Sequence, residues 1–293
     1  MKEIVIISGK GGTGKTSITA SFAALASGTA VMADCDVDAA DLHLILKPDI
    51  QSSTEFRSGH KAFVNAGQCV GCGKCAEVCR FNAVRRRAAE YSIDTVACEG
   101  CGVCVRFCPA GAIGFSEEVC GHWFVSDTRF GKMVHAKLNV AAENSGKLVT
   151  LVRKEAKKAA IEQGAELVLI DGSPGIGCPV IASLTAANVA LIVTEPTVSG
   201  DHDLQRIAQL TRRLGVTTLV CVNKWDINPD ITVKIKEFAR ESGLGFAGQV
   251  RFDKTITAAQ RSEKTIIEFC ENGITDDIRK IWKAVTTHNI KQG

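Results

Sequence analysis

The chain of 293 residues contains no apolar run approaching the ~20 residues that a helix needs to cross a bilayer. It also lacks a strong charge of either sign, with a formal net charge of +3 at pH 7. The first absence excludes a membrane-spanning helix, and the second leaves nothing that demands a nucleic-acid partner. Arg85-Arg86-Arg87 is the one basic run of note, and an isolated triplet reads as solvated surface. No cleavable leader precedes the strand-like residues 4–7, so a cytoplasmic location is expected.

Cysteine, in contrast, is plentiful, and its placement is regular. Eight of the 13 cysteines form two runs, Cys69, Cys72, Cys75, Cys79 and Cys98, Cys101, Cys104, Cys108. Each run reads Cys-x2-Cys-x2-Cys-x3-Cys, in which three closely spaced thiolates serve one cluster and the fourth crosses to the other. The spacing predicts two [4Fe-4S] clusters, one on Cys69, Cys72, Cys75 and Cys108, the other on Cys98, Cys101, Cys104 and Cys79. A disulfide framework fits poorly because such frameworks belong to oxidising compartments and small cores. Zinc ribbons fit poorly because paired zinc ligands leave the third and fourth cysteines of each run unexplained.

The runs are halves of an internal repeat with a constant offset of 29 residues (Cys69 to Cys98), which also matches Gly71 with Gly100, Gly73 with Gly102 and Ala83 with Ala112. A pseudo-twofold module follows. Small residues between the ligands let backbone N–H groups approach the cluster sulfurs. The halves differ at one point: the second run ends Cys108-Pro109 and the first ends Cys79-Arg80, which puts a cation beside a ligand of the second cluster. With clusters expected, the arginine triplet gains a second reading as a docking spot for an acidic redox partner.

The flanks of the cysteine segment belong together. A strand at residues 4–7, a glycine-rich loop, an apolar helix at 16–26 and a strand at 30–34 form a βαβ opening, and after the segment come buried-strand runs at 167–170, 189–193 and 219–222. The expected fold is α/β, a doubly wound, mostly parallel sheet of the P-loop NTPase kind formed by residues 1–59 and 119–293. An α+β domain of bacterial ferredoxin type is inserted at 60–118. Asp171, Thr194-Glu195-Pro196 and Asn223-Lys224 follow the apolar runs, at the strand ends where open α/β sheets bind ligands.

Gly9-Lys10-Gly11-Gly12-Thr13-Gly14-Lys15-Thr16 satisfies the P-loop pattern between a strand and a helix. Its glycines let several N–H groups face phosphate, Lys15 is expected to reach the β- and γ-phosphates, and Thr16 to ligate Mg²⁺. Ser17 completes the candidate phosphate-binding run. Lys10 is an extra that an ordinary P-loop does not require.

With Lys10 in place, the motif resembles the deviant Walker A sequence of the MinD/ParA/Mrp superfamily, which includes the nitrogenase iron protein. The resemblance implies that Lys10 reaches the nucleotide of a partner subunit in an ATP-sandwich homodimer. It also implies that Asp36 is the switch I aspartate, that Asp171 is the Walker B/switch II aspartate, and that Gly175 lies near the γ-phosphate. Asn223-Lys224-Trp225-Asp226 spells the guanine-reading motif of GTPases, but an asparagine at this strand end contacts adenine in the family, so ATP is favoured. The segments 143–149 and 194–197 resemble a narrower group of these ATPases that carry an inserted ferredoxin domain.

Three functions are compatible. In the first, ATP binding and hydrolysis rearrange a homodimer and gate electron transfer from the two clusters to an unidentified redox partner. In the second, the protein carries or assembles clusters for an apo-protein client, as the Mrp resemblance suggests. The third is a non-enzymatic, nucleotide-switched redox sensor or positioning module, for which the stripe Ile278, Ile281, Trp282 and Val285 would have to bind a membrane instead of the core. A glutamine-dependent amidotransferase has no room for a glutaminase domain. Cys35, Cys221 and Cys270 read as buried hydrophobes and Asp34, Asp38 and Asp41 as solvated or capping residues, with Thr275 starting the last helix. The resemblance to the nitrogenase iron protein implies that Cys178, just after the switch II segment, is a candidate ligand of a cluster bridging two subunits, with Cys120 as a second candidate ligand.

Overall fold

The computed structural model describes residues 1–88, 90–139, 144–271 and 273–288. The chain forms two compact units: Met1–Thr54, Trp123–Lys137 and Ser145–Gly293 make the first, and Glu55–His122 with Leu138–Asn144 the second. In chain order the elements are β1 (Lys2–Ser8), α1 (Lys15–Ala26), β2 (Ala30–Asp34), α2 (Leu42–Leu46), β3 (Asp49–Val64), α3 (Lys74–Val78), β4 (Val84–Arg87), β5 (Glu90–Ile93), α4 (Val103–Phe107), β6 (Ile113–Thr128) and β7 (Gly131–Leu138). They continue with α5 (Ser145–Gln163), β8 (Leu167–Pro174), α6 (Cys178–Leu184), β9 (Val189–Thr194), α7 (Val198–Arg213), β10 (Thr217–Asn223), α8 (Pro229–Glu241), β11 (Gly245–Val250), α9 (Thr255–Arg261), α10 (Ile266–Phe269) and α11 (Ile274–Thr287).

The sheet runs β11-β10-β9-β1-β8-β2-β7-β6-β3. From β11 to β7 every neighbouring pair is parallel. Parallel strands covered on both faces need apolar side chains on both, which is why β1, β9 and β10 read as unbroken runs. The two-residue connection Arg129-Phe130 makes β6 antiparallel to β7, since only antiparallel neighbours can be joined so tightly. The fold is thus a mostly parallel α/β sheet with an antiparallel edge. β1 lies between β8 and β9, so its loop opens at the carboxyl edge of the sheet's interior.

One core face is closed by α11, where Ile274, Ile278, Ile281 and Val285 recur at helical spacing and are buried, with the Trp282 ring tilted against Phe22 at 5.1 Å between centres. Each such side chain contributes about 1.5–3 kcal/mol. The stripe therefore packs on the core. Thr275 does not start this helix: it is buried inside the first turn, and Asp276 reaches back to accept from the N–H of Gly273 at 3.2 Å.

The second unit is built on a local twofold. α3 and α4 each follow a glycine in the left-handed region, Gly73 and Gly102. Asn65 N donates to Ala112 O and Asp94 N to Ala83 O, both at 2.8 Å, bonds that the 29-residue offset interchanges. Its small core holds Ala62, Cys75, Ala83, Cys98 and Ile113. The bounds lie a few residues outside 60–118 because the long strands β3 and β6 carry the chain across the boundary.

Candidate functional site

At the carboxyl end of β1 the loop closes into α1 through Gly14, whose φ of 89° lies in the left-handed region where glycine alone is unstrained. A Cβ on Gly14 would also lie 2.3 Å from Asn223 Nδ2. The loop lines a cleft of about 1110 Å³ whose walls include Gly11 to Ser17, Asp36 and Pro174.

The floor of the cleft is a buried charge cluster. Lys15 Nζ donates to Asp171 Oδ1 at 2.9 Å and stands 3.3 Å from Asp36 Oδ2. Asp171, at 0 % exposure, also accepts from Thr16 Oγ1 at 2.8 Å and from Thr19 Oγ1 at 2.9 Å, so one carboxylate fixes three side chains of the loop and α1. Burial pulls the Lys15 ammonium down, but Asp171 and Asp36 outweigh it and its pKa is raised, so Lys15 stays charged at neutral pH. Asp36 is pushed up by burial, with Lys15 only partly offsetting it.

Asp34 is neither solvated nor a helix cap. It is fully buried, its Oδ1 accepts from Asp36 N at 3.1 Å, and its Oδ2 has no partner. Burial and then Asp171, its neighbour across β2 and β8, push its carboxyl well above the usual range. Sequence reading missed Asp34 because an aspartate beside a turn normally faces water. Asp38 and Asp41 do face water. Asp36 and Asp171 share one lysine, and Asp171 also accepts from the Thr16 hydroxyl, a donor set that fits a hard divalent cation such as Mg²⁺.

The other expected residues frame the loop. Gly175 N donates to Ser8 O at 2.8 Å, tying the loop after β8 to β1. Asn223 is buried, donates from Nδ2 to Thr13 O at 2.7 Å and accepts from Lys224 N at 3.0 Å, so it braces the P-loop. Asp226 accepts from Phe252 N at 2.7 Å. Lys10 is held by Glu195, in the strand-end segment that the sequence places at the ligand edge, and by Ser199, which the sequence had not marked. Of the segment 143–149, Glu143 lies outside the described residues, and Gly146 packs on Cys178.

In the second unit the cysteines separate into two groups by position. Cys69, Cys72, Cys75 and Cys108 line one small hollow, and Cys79, Cys98, Cys101 and Cys104 line another. Cys79 and Cys108 are thus exchanged between the halves. All eight are free thiols. Among the described residues no group of three or more His, Cys, Asp or Glu side chains is placed to hold a metal ion. Tyr91, the chain's one tyrosine, lines the first hollow, with the Arg86 guanidinium 5.7 Å from its ring centre. Of the two further cysteines, Cys178 is exposed at the start of α6, whereas Cys120 is buried with Sγ 2.8 Å from Ser58 O. Cys35 and Cys221 are buried and Cys270 half-buried.

The family model described as the CobQ/CobB/MinD/ParA nucleotide binding domain matches residues 4–266. An uncharacterized protein of Methanocaldococcus jannaschii, MJ0578, is 34% identical over 229 residues, 77% of this chain and 79% of its own length. A second from the same organism, MJ0579, is 24% identical over 277 residues, covering 92% and 94%. Among solved structures, the cell division ATPase MinD of Pyrococcus furiosus matches with a TM-score of 0.57 at 16% identity, covering 97% of this chain and 98% of its own. Septum site-determining protein MinD of Pyrococcus horikoshii, complexed with Mg-ADP, matches with a TM-score of 0.58 at 16% identity, covering 98% and 96%. At such identities the structural likeness concerns the fold.

Proposed function

The chain belongs to the CobQ/CobB/MinD/ParA nucleotide-binding family, and from that premise we propose that it is an ATP-hydrolysing iron–sulfur protein whose homodimer gates electron transfer from two [4Fe-4S] clusters to a partner protein. The observation that carries this reading is the partition of eight cysteines into two hollows with Cys79 and Cys108 exchanged. Four thiols round an open hollow suit a cluster with irons at several corners better than a lone ion. When bound, such clusters supply one-electron transfer.

On the nucleotide side, the loop N–H groups and the start of α1 bind phosphate, and Lys15 supplies a fixed positive charge for the β- and γ-phosphates. Thr16, Asp36 and Asp171 would hold Mg²⁺, which neutralises phosphate charge when bound. Asp171 keeps Lys15, Thr16 and Thr19 in register, so the phosphate-binding groups are aligned before substrate arrives. Asp36 orients the attacking water and accepts its hydrogen bond. Pro174 and Gly175 stand three and four residues after Asp171, so a γ-phosphate that holds this loop and its loss on hydrolysis give two loop states. Lys10 completes the partner's site in the dimer.

Anaerobic purification with iron analysis and EPR, followed by ATPase assays with the clusters oxidised and reduced, tests both halves. About eight irons per chain are expected. A turnover rate indifferent to cluster state overturns the coupling. One observation favours a second reading: Cys72 and Cys101 are exposed, as ligands open to an incoming thiol would be. In that case the protein delivers clusters to a client, and a purified apo-protein would gain iron and activity from it.

A further inference from the structure

Lys10 stands 3.6 Å from Glu195 Oε2 and donates to Ser199 Oγ at 3.3 Å, so its charge is matched within its own protomer. The other oxygen of the same carboxylate accepts from Lys224 Nζ at 2.5 Å. Glu195 is mostly buried, its side chain 14% exposed, and Lys10 is 37% exposed at the mouth of the P-loop. One carboxylate therefore grips a lysine from the P-loop and another from the loop after β10.

The surroundings fix Glu195 in place. A Cβ on Gly200 would lie 2.3 Å from Glu195 O, so the chain after β9 is pressed against the first turn of α7. Thr194 Oγ1 donates to Gly200 O at 2.9 Å, and Thr197 caps α7 by accepting from Gly200 N at 3.0 Å. Gly9, next to Lys10, abuts the same helix, since a Cβ there would lie 2.2 Å from Asp203 Cβ. The backbones carrying Lys10 and Glu195 are both held against α7.

We propose that Glu195 is a positioning residue that holds Lys10 in its own protomer, so that forming the nucleotide-bound dimer requires Lys10 to exchange Glu195 for the phosphates of the partner's nucleotide. The proposal rests on the reading of Lys10 as a residue that acts across the dimer. Lys224 makes the exchange reversible: when Lys10 leaves, Glu195 keeps one cation and is not left as an unpaired, largely buried charge. A partly exposed ion pair retards release by a factor of about three to five. Each dimer releases two lysines, so the dissociation constant is raised on the order of tenfold.

The test is sedimentation of the full-length protein with Mg-ATP. Glu195→Gln should lower the dimer dissociation constant on the order of tenfold. Lys224→Met, which leaves Glu195 wholly to Lys10, should raise it, and this opposite sign keeps the proposal testable if Glu195→Gln folds poorly. If wild-type protein shows no nucleotide-dependent dimer, or Lys10→Ala dimerises as well as wild type, the reading of Lys10 across the dimer is wrong. If Lys10→Ala abolishes the dimer while Glu195→Gln is no tighter than wild type, or Lys224→Met is no weaker, that reading stands and the role given to Glu195 is overturned.

Discussion

Replacing Asp34 with asparagine should make the nucleotide-free protein more stable while weakening its hold on Mg-nucleotide. Asp34 pairs with Asp171 across β2 and β8, strands about 4.8 Å apart, and both side chains are fully buried. Two unit charges about 5 Å apart repel by roughly 3 kcal/mol at an effective dielectric of about 20, and Lys15 cancels part of this. Asparagine keeps the shape and the bond that Oδ1 accepts from Asp36 N, and it removes the charge whose second oxygen has no partner. A gain of about 1–2 kcal/mol is expected, in the range of other relieved functional-site strain. The pH dependence sharpens the test. Because the folded-state pKa of Asp34 lies above its ordinary value, wild-type protein recovers this stability as pH falls through the raised pKa, and the variant has nothing to recover. Urea unfolding without Mg²⁺ or nucleotide should therefore show the variant's lead greatest at alkaline pH and shrinking as the pH falls through the raised pKa. A variant no more stable than wild type at alkaline pH, or a lead independent of pH, would refute the account of a destabilising buried charge.

Further outcomes are expected elsewhere. Asn223→Ala removes the brace on Thr13 O, and calorimetry should show nucleotide affinity reduced about tenfold, the worth of one buried hydrogen bond. His135 is buried against Ser126 and its pKa is pulled down to about 4, so the unfolded chain binds its proton first. Stability is lost as pH falls from 6.5 towards 4, by about 2 kcal/mol at pH 5, and His135→Gln should remove that loss in paired urea titrations. Cys79→Ser should reduce bound iron from about eight to about four per chain, with the EPR signal of the Cys69 hollow retained. Gly9→Ala forces a Cβ to 2.2 Å from Asp203 Cβ and should lower stability by about 1–3 kcal/mol in thermal melts.

The parallel strands were legible because burial on both faces writes them as short apolar runs, and the P-loop because phosphate binding needs its residues in consecutive order. The grouping of the thiols was legible too, since a 29-residue repeat carries its symmetry in the spacing. Other parts were hidden for physical reasons. β3 is mostly exposed, and the face that buries Phe56, Ser58 and Ala62 also carries serine, threonine and histidine, so its apolar alternation is too weak to mark it as a strand. Asp34 and Glu195 are carboxylates whose importance comes from neighbours far along the chain, Asp171 in one case and Lys10 with Lys224 in the other. Asn223 was legible as a site residue, but its grip on Thr13 O depends on β10 and β1 ending at the same edge of the sheet.

The exchanged cysteines also bear on descent. Half of the second unit, taken alone, would set three thiols round its own hollow and send the fourth outside itself. Two copies related by a twofold would complete one another, as the subunits of a symmetric dimer do. A single half with this spacing could set four thiols round a hollow only by meeting a second copy, and the 29-residue repeat joins the two halves in one chain. The tandem form removed the concentration dependence of that meeting, and it freed the halves to diverge, as Arg80 and Pro109 at matching positions show.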